Sequence, residues 1–377
     1  MRGVNRVYSV RRKIIVALAG GLTLLGAILG FAYTTFQNNV NGPIPSLWPN
    51  ASFTWVLNNP GTPPVNVDTT DGTNPLSLKT ALMNSSTSWA TASLNGQQLT
   101  NISIANGNDV TNLPSPQIDC TNVVSFNDNN PVDFPTGAAA VAFTTVSTDY
   151  FRTGPPGTPG TIYSFSECNG QVNIKTTSPS IVFDADISFN PHAPFSTSTP
   201  PLSNTFDLQA VAVHEFGHAL GLDHSGIAHA VMFPFGDAGE SQQRTLSSDD
   251  VIAISFLYPS SNFSSYMGVI TGQAAFPNIA GIFAAHVVAI DANTGNVVVD
   301  GLANAGGDYK LFVPPGGYNV LVLPLAPDDS HGLFSLGDFS GWTCGYDESG
   351  PPCCDTGAGS CVGVPLTNPT NFTGKFY

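Results

Sequence analysis

The feature that most constrains this chain is an eleven-residue run, HEFGHALGLDH, which begins at His214 and ends at His224. On a helix, His214 and His218 are four residues apart, so both imidazoles project from one face and can share one metal ion. Gly221 lets the chain leave the helix, because glycine takes a positive φ at little cost. The turn then brings His224 back as a third nitrogen ligand. Three protein ligands and one open position are typical of catalytic zinc rather than structural zinc.

The second residue of the run predicts the chemistry. Glu215 lies about 100° round the helix from His214, near the metal but not bound to it. Zinc lowers the pKa of a bound water from about 16 to roughly 7, and Glu215 would pass the water's proton to a leaving amine. The alternative is a helix with His and Glu on a solvated face. The full spacing, with the glycine and third histidine in register, disfavours that alternative.

The residues after the run narrow the family. Together with Met232–Pro234 and the segment 246–251, the run resembles the matrixin branch of the metzincins, the family of the matrix metalloproteinases. The resemblance implies one catalytic zinc held by the three histidines, with Met232 as the Met-turn residue beneath them. It also implies that Ala210 and Pro234 border the pocket for the residue after the cut bond. Astacin-like and serralysin-like metzincins carry a tyrosine where this chain has Pro234, which disfavours those branches.

Local capping signals place two helices around this site. Asn204 or Thr205 is predicted to cap the helix that carries the histidines, with Asp207 in its first turn. Ser247 and Asp250 have capping-box spacing for a later helix. In matrixins the acidic pair that opens this later helix braces the Met-turn, a role that Asp249 and Asp250 could take here; ordinary helix-dipole complements are the alternative.

The order of predicted elements indicates an α+β zincin domain over residues 48–260, with a mixed β-sheet and an active-site helix. A helix is predicted to begin at Asn74-Pro75. Residues 181–190 resemble the strand that borders the cleft in matrixins, where an extended peptide pairs with the backbone. The other predicted strands are 52–57, 122–126 and 138–145.

Charge and the first residues indicate an exported protein. Five of the 11 basic residues lie in the first 13 positions, so the rest carries 26 acidic residues against 6 basic ones. This balance excludes a nucleic-acid partner. An apolar run of 20 residues follows, so residues 1–33 are predicted to be a signal peptide or a signal anchor, followed by a linker over 34–47. The protein is then secreted, or anchored to the membrane only through this segment, with its catalytic domain outside the cytoplasm.

Six cysteines in an exported chain suggest disulfides. Cys120 and Cys168 are the two in the catalytic region and are predicted to pair. The last four, at 344–361, could form two bridges, with a zinc knuckle as the rival.

A second unit follows the catalytic region. Residues 266–325 alternate apolar residues with Gly, Pro and Asn turns, which predicts a small all-β sandwich. The pattern resembles carboxypeptidase-regulatory-like domains, and we expect a spacer or a weak binding module. The tail, 326–377, is rich in Cys, Gly and Pro and is left unassigned.

The chain also departs from the matrixin pattern. Animal matrixins bind a structural zinc through upstream histidines, but all seven histidines here lie at position 192 or later. Asp184, Asp186, Asn127 and Asp128 could instead bind calcium.

The sequence therefore predicts a zinc endopeptidase acting on protein or peptide substrates outside the cell. Two alternatives stay open: a surface adhesion or scaffold protein with a vestigial metalloprotease domain, and hydrolysis of a non-peptide substrate. The oligomeric state is left open.

Overall fold

A computed structural model describes residues 37–38, 44–59, 64, 66–70, 76–126, 134, 138–146, 162–164, 173–175, 181–275, 281–282, 284–304, 306–323 and 375–376. The predicted export segment, Cys168 and the four cysteines of the tail lie outside these residues. Within them, no helix has both the length and the apolar character needed to cross a bilayer.

The described helices are α1 Leu78–Ala90, α2 Leu208–Ala219, α3 Ser248–Leu257 and α4 Phe263–Tyr266. The described strands are β1 Gln37–Asn38, β2 Ile44–Pro45, β3 Ser52–Leu57, β4 Val67–Asp68, β5 Ser93–Leu94, β6 Gln97–Gln98, β7 Ser103–Asn106, β8 Asn122–Ser125, β9 Ala140–Val146, β10 Ile162–Ser164, β11 Asn173–Lys175, β12 Val182–Phe189, β13 Phe195–Ser196, β14 Phe206–Asp207, β15 Gly268–Gln273, β16 His286–Asp291, β17 Val297–Leu302, β18 Asp308–Val313, β19 Tyr318–Leu323 and β20 Lys375–Phe376.

The main sheet has five strands in the order β7-β3-β8-β12-β9. β3 is parallel to β7 and β8, and β8 is parallel to β12, whereas β9 is antiparallel to β12. This mixed sheet and the helices match the predicted α+β zincin class. The prediction that strand 181–190 borders the cleft is wrong, because β12 lies between two strands and is buried at all eight positions. β9 is the edge strand instead.

Two helices pack together beside this sheet. Trp89 of α1 is fully buried, and its indole N–H donates to the carbonyl of Val213 in α2 at 2.8 Å. Phe216 of α2 contacts Trp55 and Phe53 of β3, with ring centroids 5.3 and 6.3 Å apart. Buried aromatic side chains thus join the sheet, α1 and α2 into one core, which fixes the helix that carries the histidines.

Helix capping differs from the prediction at two of three sites. α1 begins at Leu78, with Ser77 as its N-cap rather than Asn74. α2 is capped by Asp207, whose carboxylate accepts the Ala210 amide at 2.9 Å, rather than by Asn204 or Thr205. A carboxylate at this point satisfies an amide that the helix leaves without a partner, and it favours the positive end of the helix dipole. The capping box at α3 is confirmed.

Between residues 268 and 323 the described elements are all strands, and we call them the β unit. β15 pairs with β18, while β16 pairs with both β17 and β19, all antiparallel. Phe312 of β18 packs against Phe256 and Phe263, with centroids 5.5 and 5.3 Å apart. The β unit therefore rests on α3 and α4. Its resemblance to carboxypeptidase-regulatory-like domains stays a prediction.

Candidate metal centre

The three predicted histidines come together in the structure. His214 and His218 lie on α2, and their Nε2 atoms are 3.0 Å apart. His224 follows the turn, with its ring centroid 5.4 Å from that of His214 and 4.9 Å from that of His218. One nitrogen from each ring lies within 4.8 Å of the other two, and all three residues are buried. This is the spacing that three ligands of one small cation require.

Hydrogen bonds set the orientation of two of the rings. Nδ1 of His214 is 2.6 Å from the carbonyl of Val231, and Nδ1 of His218 is 2.9 Å from that of Leu222. A carbonyl only accepts, so each Nδ1 carries the proton and each Nε2 presents its lone pair to the centre. Metal-binding histidines show this arrangement of the outer nitrogen. The donor set therefore fits a zinc ion.

The turn after α2 depends on glycine as predicted. Gly221 has φ +99°, and a Cβ there would lie 2.7 Å from the carbonyl oxygen of Ser46. The amide of Leu222 donates to the carbonyl of Gly217 at 3.0 Å, which closes the helix. Both the backbone conformation and the available space exclude a side chain at this position. Only glycine therefore allows the turn that returns the chain toward His224.

Burial keeps His214 and His218 neutral. It lowers the pKa of His214 to about 3, with a further lowering from the charge of His224. The pKa of His218 is also well below its usual value, first through burial and then through the two neighbouring imidazoles. A neutral imidazole is the form that binds a metal.

This burial predicts a pH-dependent stability for the metal-free protein. The pKa of His214 falls from 6.5 to about 3 on folding, so its stabilising contribution is present above pH 6.5 and is lost as the pH falls toward 3. The free energy of unfolding should drop, relative to His214→Asn, by on the order of 1 kcal/mol per pH unit below 6.5. Denaturant unfolding of both metal-free proteins between pH 7.5 and 4.5 measures the difference, and the shared carboxylates cancel. A difference that does not change with pH would contradict the assignment.

Glu215 lies beside the three rings. It is 1% exposed on α2, and burial raises its pKa to about 8, against a smaller lowering by a hydrogen bond from the Ala142 amide of β9. A carboxyl group with a pKa near neutrality can both take and give a proton. Its neighbour β9 is the edge strand, so Glu215 faces the side of the sheet where another chain segment can pair.

Met232 lies in the segment that follows His224, and its role beneath the three rings stays a prediction. It is 2% exposed, and Asp250 at the start of α3 holds its backbone: Oδ1 accepts the Met232 amide at 3.0 Å and Oδ2 accepts the Val231 amide at 2.8 Å. The carbonyl of Met232 accepts the Ser225 amide at 2.9 Å. Asp249 acts on the same segment through Ser225, because its Oδ2 accepts the Ser225 hydroxyl at 2.7 Å. The acidic pair thus braces both ends of the segment between His224 and Met232.

Residues 159–259 match the protein-family model described as Matrixin. This region is similar to the matrixins, and we call it the matrixin-type region. The chain is 45% identical over 58 residues to Metalloendoproteinase 5-MMP of Arabidopsis thaliana, 15% of this chain and 16% of that protein. It is 52% identical over 54 residues to human Matrix metalloproteinase-25, 14% and 10% of the two chains. Metalloendoproteinase 1 of Glycine max is 34% identical over 105 residues, 28% and 30%. The matches thus span less than a third of each relative, and they support a metalloprotease of this type.

A pocket opens next to Glu215 in the matrixin-type region. Pro234 and Val211 are among its lining residues, whereas Ala210 is buried in α2 and is not. That this pocket takes the residue after the cut bond stays a prediction. The lining residues are Ala139, Ala140, Phe206, Val211, His214, Glu215, Phe233, Pro234, Phe235, Gly236 and Gln243.

Two polar residues that hold the loop around this matrixin-type pocket were missed by the sequence reasoning. The Gln243 amide group donates to the carbonyls of Ala230, Phe233 and Phe235 at 3.3–3.4 Å. Arg244 pairs with Asp207 at 2.8 Å, both side chains being largely buried. The sequence showed three charged residues, Asp237, Glu240 and Arg244, in the loop between Met232 and Leu246, but this does not identify their partners.

The remaining predictions concern Cys120 and the carboxylates of β12. Cys120 is disulfide-bonded, but Cys168 lies outside the described residues, so their pairing stays a prediction. Asp184 accepts the Cys120 amide, and Asp186 accepts the amides of Gln117 and Val123. These carboxylates tie the 117–123 segment to β12. Calcium binding there stays a prediction, and Asn127 and Asp128 lie outside the described residues.

Proposed function

We propose that this protein is a zinc-dependent endopeptidase. The observation that carries the proposal is the convergence of three buried imidazoles on one point with Glu215 beside it. Two of these imidazoles have their outer nitrogens fixed by carbonyls, so their inner nitrogens are available to a metal. The matrixin-type match and the named metalloendoproteinases support the same reaction class.

Each residue of the site would have a separate role in peptide hydrolysis. His214, His218 and His224 would hold the ion, and Met232 supports their rings from below. Zinc, when bound, supplies Lewis-acid polarisation of the scissile carbonyl and makes a water more acidic. Glu215 takes a proton from that water and delivers it to the leaving amine. Burial raises the pKa of Glu215 above that of an ordinary carboxyl group, which makes its carboxylate a stronger base.

The substrate would be an extended segment of an extracellular protein. β9 is the edge strand of the main sheet and contacts Glu215 through the Ala142 amide, so a peptide pairing along β9 brings its backbone to the site. The pocket beside Glu215 is lined by Val211, Pro234 and three phenylalanines. It would accept Leu, Met or Phe after the scissile bond. Each buried methylene contributes about 0.8 kcal/mol, so Leu would be preferred to Ala by roughly tenfold or more.

A peptide-library assay tests this proposal. Purified protein is incubated with quenched fluorescent peptides, first as prepared, then after treatment with a chelator, and then with zinc restored. We expect cleavage that disappears with the metal and returns with zinc, chiefly before large apolar residues. His218→Asn serves as the control that removes one ligand.

Two outcomes would overturn parts of the proposal. Zinc retained without cleavage of any peptide would favour the scaffold alternative. Cleavage chiefly before Asp, Glu or Gly would refute the apolar pocket. Export, by cleavage of the first residues or by retention as an anchor, is part of the same proposal and is tested by the N-terminal sequence of the mature protein.

A further inference from the structure

His214 and His218 lie on one helix, whereas His224 is in the segment that links α2 to the Met-turn. Segments of this kind open at lower free energy than helices, so a ligand there depends on contacts from outside. Within the matrixin-type region, these contacts come from Asp249 through Ser225 and from the backbone of Met232.

The β unit supplies a further contact. Asp300 lies on β17, and its Oδ2 accepts the amide of Gly226, two residues after His224, at 2.9 Å. The amide of Asp300 donates to Asp249 Oδ1 at 3.0 Å. Asp300 is 4% exposed, so both hydrogen bonds lie away from water. A single residue of the β unit therefore holds the segment after His224 and the carboxylate that binds Ser225.

A second residue of the β unit orients this carboxylate. Nε2 of His286 on β16 is 2.6 Å from Asp300 Oδ2, and His286 is 6% exposed. The fit around Gly226 is close: a Cβ there would lie 2.6 Å from Asp300 Oδ2 and 2.7 Å from His286 Nε2. The backbone after His224 therefore packs directly against both side chains of the β unit, which only a glycine allows.

We propose that Asp300, oriented by His286, is a positioning residue for His224, and that the β unit completes the metal centre. The inference rests on the proposed zinc site and goes beyond it, because the sequence suggested only a spacer or a weak binding module. Outer hydrogen bonds to a metal site typically contribute 10- to 100-fold in metal affinity. The Asp300–Gly226 hydrogen bond lies two residues along the backbone from His224. Its effect is therefore on the position of the His224 ring.

Zinc affinity tests the proposal without using activity. The full-length protein is titrated with zinc against a chromophoric chelator, and the absorption spectrum with cobalt reports the ligand geometry. Asp300→Ala should weaken zinc binding by about 10- to 100-fold and change the cobalt spectrum. Asp300→Asn keeps an oxygen for the Gly226 amide and should bind zinc nearly as tightly as the wild type. Asp291→Asn, a partly exposed site on the same unit, is the matched control and should not change the affinity.

The outcomes separate this inference from the proposed function. A wild-type protein that binds no zinc refutes the proposed function. A wild type that binds zinc, with Asp300→Ala equally tight, refutes only the role of Asp300. If Asp300→Ala does not fold, His286→Leu decides the matter, since it leaves Asp300 in place but removes its orienting partner. Weaker zinc binding in folded His286→Leu supports the proposal, and unchanged binding overturns it.

Discussion

Glu215→Gln is expected to lower the rate of peptide cleavage by about 10²- to 10⁴-fold, the contribution typical of a general acid–base residue. Glutamine has nearly the same shape and keeps a carbonyl oxygen for the Ala142 amide, but it cannot take a proton. The loss should appear in kcat rather than in KM, because the side chain acts on the proton and not on the peptide. Steady-state kinetics on a peptide selected from the library measure both constants.

The same variant should keep its zinc. Glu215 is not among the three converging ligands, so metal content by mass spectrometry should stay at one ion per chain. His218→Asn is the contrasting variant, because it should lose metal and activity together. Full activity in Glu215→Gln would refute the mechanism. Loss of zinc from Glu215→Gln would instead show that the carboxylate belongs to the metal centre.

The metal centre was predictable because its geometry is local. His218 lies four positions after His214 on one helix, and one glycine turn returns His224, so spacing alone places all three rings. The capping box at Ser247 is equally local, and it was predicted correctly. Such features depend on residues within one or two turns of each other, where helical periodicity fixes the arrangement.

Features that depend on pairing between distant segments were not predictable. The alternating and continuous apolar patterns identified β9 and β12 as strands, but neither pattern states which one lies at the edge. The sequence placed Asp207 in the first turn of α2. In the structure Asp207 caps that helix and also forms an ion pair with Arg244, 37 residues away. Asp300 is the extreme case, because its partner Gly226 lies 74 residues away in another unit. A lone aspartate in a strand gives no sign of that contact.

Gly217 is also within the motif, and the structure gives it a reason that spacing does not. It lies on α2 between the two helical histidines, where a Cβ would come 2.3 Å from Met232 Sδ and 2.8 Å from Trp89 Cζ2. The Trp89 ring has little room to move, and Met232 is anchored through its backbone. Trp89 is fully buried with its N–H bonded to Val213, and the Met232 backbone is held by Asp250. The helix can approach the Met-turn this closely only because residue 217 has no side chain.

Gly217→Ala is therefore expected to destabilise the protein. Alanine favours a helix by up to about 1 kcal/mol over glycine, but overpacking a buried contact typically costs about 1–3 kcal/mol and sometimes more. Since a Cβ at this position would meet both the buried Trp89 ring and the Met232 sulfur, overpacking should prevail, with a net loss of roughly 2 kcal/mol in the free energy of unfolding. Denaturant unfolding of the metal-free protein measures this loss. Gln209→Ala, a partly exposed site on the same helix, controls for helix propensity.

A double-mutant cycle separates the clash from other effects of the substitution. Met232→Ala removes the sulfur that a Cβ at residue 217 would strike, at the cost of its own lost burial. Gly217→Ala combined with Met232→Ala should then be less destabilised than the sum of the two single changes. The clash also displaces α2 from the Met-turn, so Gly217→Ala should bind zinc more weakly than the wild type. Additive destabilisation together with unchanged zinc affinity would show that the glycine is not required by this contact.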